Sequence, residues 1–178
     1  MSDITSAPKE IERKYLIIRP TDELLNSIPS AEITDITQIY LKTNSDLTSR
    51  RVRKRGNSEK GYKFTFTEKK DISFGERYEN ECEITEGEYV SLLAEADPDR
   101  APVEKQRCCF TYDGQFFELD LYPFSDEYAT LEIELEDINT PVRLPHFIEV
   151  VKDVTGDKRY SNFALALTRR ITLLDEGN

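Results

Sequence analysis

The chain has 178 residues, enough for one domain with a substantial core, and its net charge is −11 at pH 7. A molecule this acidic is repelled at long range by nucleic acids and anionic membranes, so a polyanion site requires local clustering of basic residues. No segment approaches the roughly 20 apolar residues that cross a bilayer, and the N-terminus lacks the basic-then-apolar order of a signal peptide. We therefore expect a single cytoplasmic domain, 1–178, without a membrane partner and with nucleic acid disfavoured as a partner.

The cysteines point to the same compartment. Cys82, Cys108 and Cys109 are an odd number of thiols without the spacing of a metal site. They are predicted to be buried thiols in a reducing environment. The lone His146, in a Leu-Pro-His-Phe context, is predicted to be a loop residue rather than a catalyst.

In chain order, the pattern predicts strand after strand with short helical interruptions. Asp113-Gly114 between two apolar runs is the clearest hairpin turn. Eight strands and three small helices indicate an α+β fold built on one large antiparallel sheet. Residues 1–8 are expected to form a flexible tail, and 161–178 a C-terminal helical segment. The predicted strands cover 9–18, 33–43, 47–55, 61–71, 75–84, 102–112, 115–122 and 128–137, and the predicted helices cover 21–27, 86–96 and 161–174.

Charged residues recur at every second position of these strands. Glu10, Glu12 and Lys14 would share one strand face, because side chains alternate between the two faces of a sheet. One such strand is most simply a solvated face, but seven strands with segregated signs are harder to explain, since like charges directly opposite each other destabilise a sheet. The later members are Arg51, Arg53, Arg55, Lys63, Lys69, Arg77, Glu79, Glu81, Glu83, Lys105, Arg107, Glu118, Asp120, Glu132, Glu134 and Glu136.

If the sheet curls and closes, these polar faces line a tunnel instead of meeting bulk water. An eight-stranded barrel has room inside for side chains or one small ligand. Basic groups in such a lumen would neutralise phosphate oxygens, and carboxylates would hold Mg²⁺ or Mn²⁺. The pattern therefore indicates metal-assisted chemistry on a phosphate chain.

With these charged strands in this order, the chain resembles the CYTH superfamily, the triphosphate tunnel metalloenzymes. The family signature is Glu-x-Glu-x-Lys near the N-terminus, here Glu10 to Lys14. The resemblance implies an eight-stranded antiparallel β-barrel, the triphosphate tunnel, with a few short flanking helices. Further matching segments follow in order: 38–41, 51–53, 67–69, 77–81, 105–107, 118–120, 132–134 and 153–162.

The resemblance also implies a role for each matching residue. Metal binding, with Mg²⁺ or Mn²⁺ as the cofactor, falls to Glu10, Glu12, Glu132 and Glu134. Catalytic roles, in binding a second metal or orienting the attacking water, fall to Glu79, Glu81 and Asp120. Substrate binding falls to Lys14, Arg51, Arg53, Lys69, Arg77, Lys105 and Arg107.

Some assignments stay open at the level of sequence. Lys69 is followed by Lys70 where many members have glycine, so either Lys69 or Lys63 could be the phosphate ligand. Tyr160 and the helix after it could plug one tunnel mouth or serve as plain core. Either rim salt bridges or substrate contacts would suit the outlying residues Arg55, Lys63, Glu83 and Glu136.

The expected reaction is hydrolysis of inorganic triphosphate or a related organic triphosphate, a small-molecule partner. A class IV-type adenylyl cyclase and a non-catalytic sensor that binds polyphosphate or a nucleotide are the alternatives. The acids at all metal-type positions favour an enzyme, because a pure binder needs the bases more than the carboxylates. A homodimer is a common enough assembly to expect, although no interface stripe stands out.

Overall fold

The computed structural model describes residues 9–44, 48–73 and 76–173. The predicted tail at 1–8, the predicted strand starts at 47 and 75, and the chain from 174 onward lie outside the described residues. No helix within the described ranges is long and apolar enough to span a membrane.

Nine strands form one antiparallel sheet, and with the few short helices they confirm the predicted α+β class. The order across the sheet is β5-β4-β3-β2-β6-β7-β8-β1-β9, and Lys9–Ile11 of β1 also pair with β5, which lies at the other end of that order. The strands are β1 (Lys9–Ile18), β2 (Glu32–Leu41), β3 (Thr48–Asn57), β4 (Gly61–Ser73), β5 (Glu76–Ile84), β6 (Val103–Tyr112), β7 (Gln115–Leu121), β8 (Tyr128–Glu134) and β9 (Val150–Asp153).

Two strand predictions need correction. The sequence indicated eight strands, and the ninth, Val150–Asp153, has only four residues. It pairs along Tyr15–Ile17 of β1, so partner contacts rather than a local pattern define it. The predicted strand 128–137 ends early, at Glu134, which leaves Glu136 outside the sheet.

Each of the three helices begins at a side-chain cap. Thr21 caps α1 (Asp22–Ser27), Thr85 caps α2 (Glu86–Leu92), and Ser161 caps α3 (Asn162–Thr168). Thr85 and Glu88 form a reciprocal capping box, and a 3-10 turn at Leu93–Glu95 continues α2. The last helix was predicted to run to residue 174, but it ends at Thr168 because Arg169 adopts the left-handed conformation, with φ 48°.

The predicted Asp113-Gly114 hairpin is confirmed. Both residues have positive φ, 47° and 76°, as a two-residue turn between twisted antiparallel strands requires. Tyr112 and Gln115 are the last paired residues of β6 and β7 on either side of the turn. The turn therefore fixes the register that later places Arg107 opposite Asp120.

Apolar side chains cover one face of the sheet. The largest cluster joins Ile17, Phe110, Phe117 and Leu131 of four strands to Leu25 of α1. A smaller cluster packs Tyr89 of α2 against Leu41 and Val52. Burial of these side chains stabilises the fold at about 25 cal/mol per Å² of apolar area and leaves the opposite face to polar residues.

The cysteines were predicted to be buried, and one of them is not. Cys108 and Cys109 are buried thiols, whereas Cys82 of β5 is exposed. The apolar cluster under α2 includes Ile84, two residues further along β5, but does not reach Cys82. His146 lies in a loop, as predicted, where its Nδ1 is 3.1 Å from the Tyr112 hydroxyl.

Replacement of Leu165 by Ala should destabilise the protein by about 2–5 kcal/mol, because this side chain of α3 is 1% exposed and leaves a cavity when truncated. Leu167→Ala on the same helix is the matched control, because Leu167 is 59% exposed. The control should change the free energy of unfolding by no more than about 0.5 kcal/mol. Urea unfolding monitored by circular dichroism measures both, and equal losses would show that α3 does not pack as described.

Candidate functional site

Strand register gathers the charged residues on the face opposite the apolar clusters. Glu12 lies opposite Glu134, and Lys14 opposite Glu132, across β1 and β8. Since paired residues of antiparallel strands project to the same side, the alternating charges of neighbouring strands meet. We call this surface the charged face. It comprises Glu10, Glu12, Lys14, Arg51, Arg53, Arg55, Thr65, Thr67, Lys69, Glu79, Glu81, Lys105, Arg107, Glu118, Asp120, Glu132 and Glu134, with Gln38 and Tyr40 of β2.

The deepest part of the charged face is built around Asp120, which is fully buried. Arg107 binds its carboxylate through two nitrogens, each at 2.7 Å, and Lys105 Nζ lies 2.5 Å from Oδ2. Burial alone would raise the pKa of Asp120, but the two cations outweigh burial and lower it. Burial, followed by the charge of Arg107, lowers the pKa of Lys105 to about 8.

Glu132 connects this group to the first strand. Lys14 Nζ lies 2.6 Å from its Oε1, and Arg107 donates to its Oε2 at 3.1 Å. Burial would raise the pKa of Glu132, yet the charges of Lys14, Arg107 and Lys105 lower it well below its ordinary value. Glu132 is therefore an anion held by buried cations.

A second group of ion pairs joins β3, β4, β5 and β1. Lys69 Nζ lies 2.6 Å from Glu79 and 3.0 Å from Glu10, and Arg53 pairs with Glu81 at 2.8 Å. Arg51 is only loosely paired, at 3.8 Å from Glu79 and 4.0 Å from Glu81. We define the basic wall of the charged face as Arg51, Arg53 and Lys69 together with Thr65, which lies opposite Arg53. The carboxylates of β5 partly neutralise its charge.

Three buried polar atoms of this wall have no hydrogen-bond partner among the residues that the structure describes. They are Nε of Arg51, Nε of Arg53 and the Thr65 hydroxyl oxygen. Buried polar groups in folded proteins are normally satisfied, so an unsatisfied group calls for an explanation such as a ligand or ion. Two of the three are donors on arginines, and this is the side-chain chemistry that recognises phosphate oxygens.

Carboxylates collect at the more exposed end of the charged face. Partial burial and the charges of Glu10, Glu118 and Glu79 raise the pKa of Glu134. Glu12 lies opposite Glu134 in the β1–β8 register, which adds another carboxylate on this face. Among the residues described, no three carboxylate, thiol or imidazole groups already converge as a metal site. The uncompensated repulsion around Glu134 nevertheless suits a hard divalent cation, which prefers carboxylate oxygens.

The site residues predicted from the sequence lie together on the charged face, except Arg77, whose side chain lies outside the described part of the structure. The backbone of Arg77 pairs with Glu10, but its side chain is not among the described ones. Of the two lysines that the sequence left open, Lys69 forms ion pairs with Glu10 and Glu79, whereas Lys63 is exposed.

The outlying residues divide. Arg55 lies on the charged face and donates to the Thr34 hydroxyl at 3.2 Å and to the Cys109 sulfur at 3.3 Å. Glu83 pairs with Thr65 and therefore lies at the exposed rim of the charged face, whereas Glu136 is exposed beyond the end of β8. Neither of these two glutamates is part of the ion pairs around Asp120 or Lys69.

The sequence predicted no role for several residues of the site, although they lie in the segments that match the family. Thr67 is fully buried and donates to Glu81 Oε2 at 2.7 Å, so it orients a carboxylate. The buried Gln38 donates to the Tyr40 hydroxyl at 3.0 Å. Both share the strand parity of the charged residues, and that parity was the available signal. Glu118 stands two residues before Asp120 and ion-pairs with Arg107.

The C-terminal segment covers one end of the charged face. Tyr160 and Leu165 pack against Leu16, Tyr40 and Tyr122, whose side chains continue the charged face beyond its ionic part. The Tyr122 hydroxyl donates to the Asn162 side chain at 2.7 Å. Tyr160 is therefore both a core residue and part of a closed end, while Glu81 and Glu134 lie toward the exposed end.

Comparison with known proteins gives a consistent picture. A curated protein of Nitrosomonas europaea, named inorganic triphosphatase, is 34% identical over 163 residues, which cover 89% of this chain and 97% of that protein. A solved inorganic triphosphatase structure shares 29% identity at a TM-score of 0.56 and covers 89% of this chain and 94% of its own. A putative adenylate cyclase from Vibrio parahaemolyticus shares the fold alone, at 18% identity and a TM-score of 0.51, covering 74% of this chain and 79% of its own.

The sequence profile of the CYTH domain matches residues 8–150, which include eight of the nine strands. The matched region contains every residue of the charged face. Together with the 34% identical relative, this match establishes that the chain belongs to the CYTH family.

Proposed function

We propose that the protein is a metal-dependent triphosphatase that hydrolyses inorganic triphosphate or a related triphosphate on the charged face. The observation that carries this proposal is the basic wall, in which Arg51 and Arg53 keep buried donor atoms that bond to no described residue. The Nitrosomonas relative is an inorganic triphosphatase, which supports the same substrate class. The sequence reasoning and the geometry thus favour one reaction, the hydrolysis of a phosphoanhydride.

The proposal includes an eight-stranded barrel with the charged face inside. Pairing of Lys9–Ile11 with Glu76–Tyr78 supports it, because β1 and β5 stand at opposite parts of the strand order. A barrel of this size encloses about one small ligand, which suits a triphosphate. Enclosure also lowers the local dielectric and strengthens each contact between a base and a phosphate.

The bases hold the phosphate chain in this proposal. Arg51, Arg53 and Lys69 contact it from one side, and Lys14, Lys105 and Arg107 from the other. Arg77 joins them by its strand position. In the structure these cations are paired with carboxylates, so binding exchanges carboxylate oxygens for phosphate oxygens around the same donors. Arginine forks suit this exchange because they bind two oxygens at once.

Glu10, Glu12 and Glu134 supply the carboxylates for a divalent cation, with Glu132 beside them. The fit rests on the raised pKa of Glu134, which burial and its anionic neighbours cause and which a cation would reverse. Bound Mg²⁺ or Mn²⁺ would act as a Lewis acid on the phosphate oxygens.

Glu79 and Glu81 orient the attacking water, and one of the two carboxylates accepts its proton, since both lie at the edge of the basic wall and neither is fully buried. For Asp120 we propose a positioning role instead of the metal-binding or water-orienting role that the family resemblance implies. It is fully buried and saturated by Lys105 and Arg107, so it positions these two cations toward the substrate. The fixed cations then stabilise the charge that develops on the phosphoryl oxygens during in-line attack.

The purified protein should release phosphate from inorganic triphosphate in the presence of Mg²⁺ or Mn²⁺ and lose this activity in EDTA. Glu12→Gln should abolish turnover without unfolding the protein, because it removes one ligand charge at the carboxylate cluster. Assays on inorganic triphosphate, ATP and thiamine triphosphate measure the preference. Tight triphosphate binding without phosphate release from any of these substrates would contradict the enzyme proposal and favour a non-catalytic sensor.

Arg53→Ala should weaken triphosphate binding by about 10- to 100-fold, because one buried, charge-assisted hydrogen-bond donor is worth about 1.5–3 kcal/mol. Lys54→Ala is the matched control, because it removes the same charge from the next position of β3, where Lys54 lies against the Tyr62 ring on the other face. Titration calorimetry measures both. Equal affinity of the two variants would place Arg53 outside the site.

The advantage of the wild type over Lys105→Met in triphosphate affinity should shrink as the pH rises through about 8. Lys105 has its pKa lowered to about 8, so it is a cation below that pH and neutral above it. Methionine has similar volume and no charge at any pH, and titration of the triphosphate itself cancels in the ratio of the two affinities. A ratio that is constant from pH 6.5 to 9.5, a range of about three units around that pKa, would contradict a charge role for Lys105.

A further inference from the structure

The second edge of β1 is divided between two strands. Lys9–Ile11 pair with β5, and Tyr15–Ile17 pair with β9. Lys14 lies just before the β9 register begins. Its backbone N–H donates to the hydroxyl oxygen of Thr155 at 2.9 Å, and its carbonyl accepts from the Val154 N–H at 2.9 Å. At Lys14, the Thr155 side chain therefore takes the place of a neighbouring strand at the edge of β1.

The Thr155 hydroxyl uses both of its hydrogen-bonding functions on one residue. It accepts from the N–H of Lys14 and donates toward the carbonyl of Lys14 at 3.4 Å. The side chain is buried, with Thr155 4% exposed. The hydroxyl therefore imitates the N–H and C=O pair of a neighbouring strand and continues the ladder past the end of β9.

Thr155 is itself held in place from the other face of β1. Its N–H donates to Asp153 Oδ1 at 2.9 Å, and Asp153 Oδ2 pairs with Arg13 at 2.5 Å. Arg13 and Lys14 are adjacent and project to opposite faces. Residues 153–155 therefore contact β1 in two ways. Asp153 forms an ion pair with Arg13 on one face, and the Thr155 hydroxyl bonds to the backbone of Lys14 at the strand edge.

We infer that Thr155 is a positioning residue for Lys14, which fixes the strand so that the Lys14 ammonium meets the phosphate chain. The inference rests on the proposed function. Lys14 Nζ lies 2.6 Å from Glu132 in a buried setting, so a small shift of its backbone would displace the ammonium relative to the other bases.

The test compares Thr155→Val with Thr155→Ser and uses inorganic triphosphate in metal-free buffer as the probe. Valine keeps the shape and removes the hydroxyl, so its Kd should rise about tenfold or more, because the buried N–H of Lys14 loses its partner. Serine keeps the hydroxyl and should stay within about threefold of the wild type. With Mn²⁺ present, KM should rise in the valine variant more than kcat falls.

Coupling to Lys14 separates positioning from general stability. In a Lys14→Gln background, Thr155→Val should change the Kd by less than about twofold, since residues that act through one group are not additive. Asp153→Asn tests the contact that holds Thr155. It keeps an oxygen for the Thr155 N–H and weakens the ion pair with Arg13, so its triphosphate affinity should fall by less than that of Thr155→Val.

Each outcome decides the matter. Equal affinities of wild type and Thr155→Val, or an undiminished effect in the Lys14→Gln background, would overturn the inference. If the valine variant does not fold, the serine variant decides, because loss of affinity despite a retained hydroxyl would also overturn it. A wild type that neither binds nor hydrolyses triphosphate would instead refute the proposed function.

Discussion

Charge compensation in a poorly solvated setting is the constraint on which this structure depends. Asp120 and Lys105 are almost completely removed from water, and a buried ion is tolerated only when a partner of opposite sign is fixed beside it. Loss of one partner of such a pair costs about 3–5 kcal/mol, which gives the strand register little freedom to slip. The same ionic groups that suit phosphate binding therefore also enforce the fold.

The pairing of opposite charges is uneven across the charged face, and this unevenness bears on what the face can bind. Around Asp120 the cations and anions are tightly matched. Toward the basic wall Arg51 is loosely paired, and around Glu134 carboxylates outnumber cations. The basic wall therefore has donor atoms that its carboxylates do not fully use, and the region around Glu134 has an excess of carboxylates. A metal-bound triphosphate chain would offer phosphate oxygens to the first region and a cation to the second.

The apolar clusters and the C-terminal segment make this arrangement possible. Packing of Phe110, Phe117 and Leu131 on the other face supplies the hydrophobic stabilisation that a face rich in ions cannot. Tyr160 and Leu165 pack against Tyr122 at one end of the charged face, and Lys105 Nζ lies 5.8 Å from the centre of the Tyr122 ring. Burial of Lys105, followed by the charge of Arg107, lowers its pKa to about 8.

The sequence by itself determined the strand faces. Alternation with period 2 placed Glu10, Glu12 and Lys14 on one side of β1, and the same rule selected the charged residues of the later strands, because parity is a local property of an extended chain. It also determined the Asp113-Gly114 hairpin, whose two positive φ angles follow from residue type. Helix starts were equally local, since Thr21, Thr85 and Ser161 cap the helices they precede.

Only the tertiary structure decided which charges meet and what lies between them. The four-residue strand β9 exists because β1 offers it an edge, and Thr155 reaches Lys14 across 141 positions of the chain. The ion pairs of Lys69 with Glu10 and Glu79, and the saturation of Asp120 by Lys105 and Arg107, likewise depend on cross-strand distances. Such contacts join residues remote in sequence, so a pattern read along one strand carries no information about them.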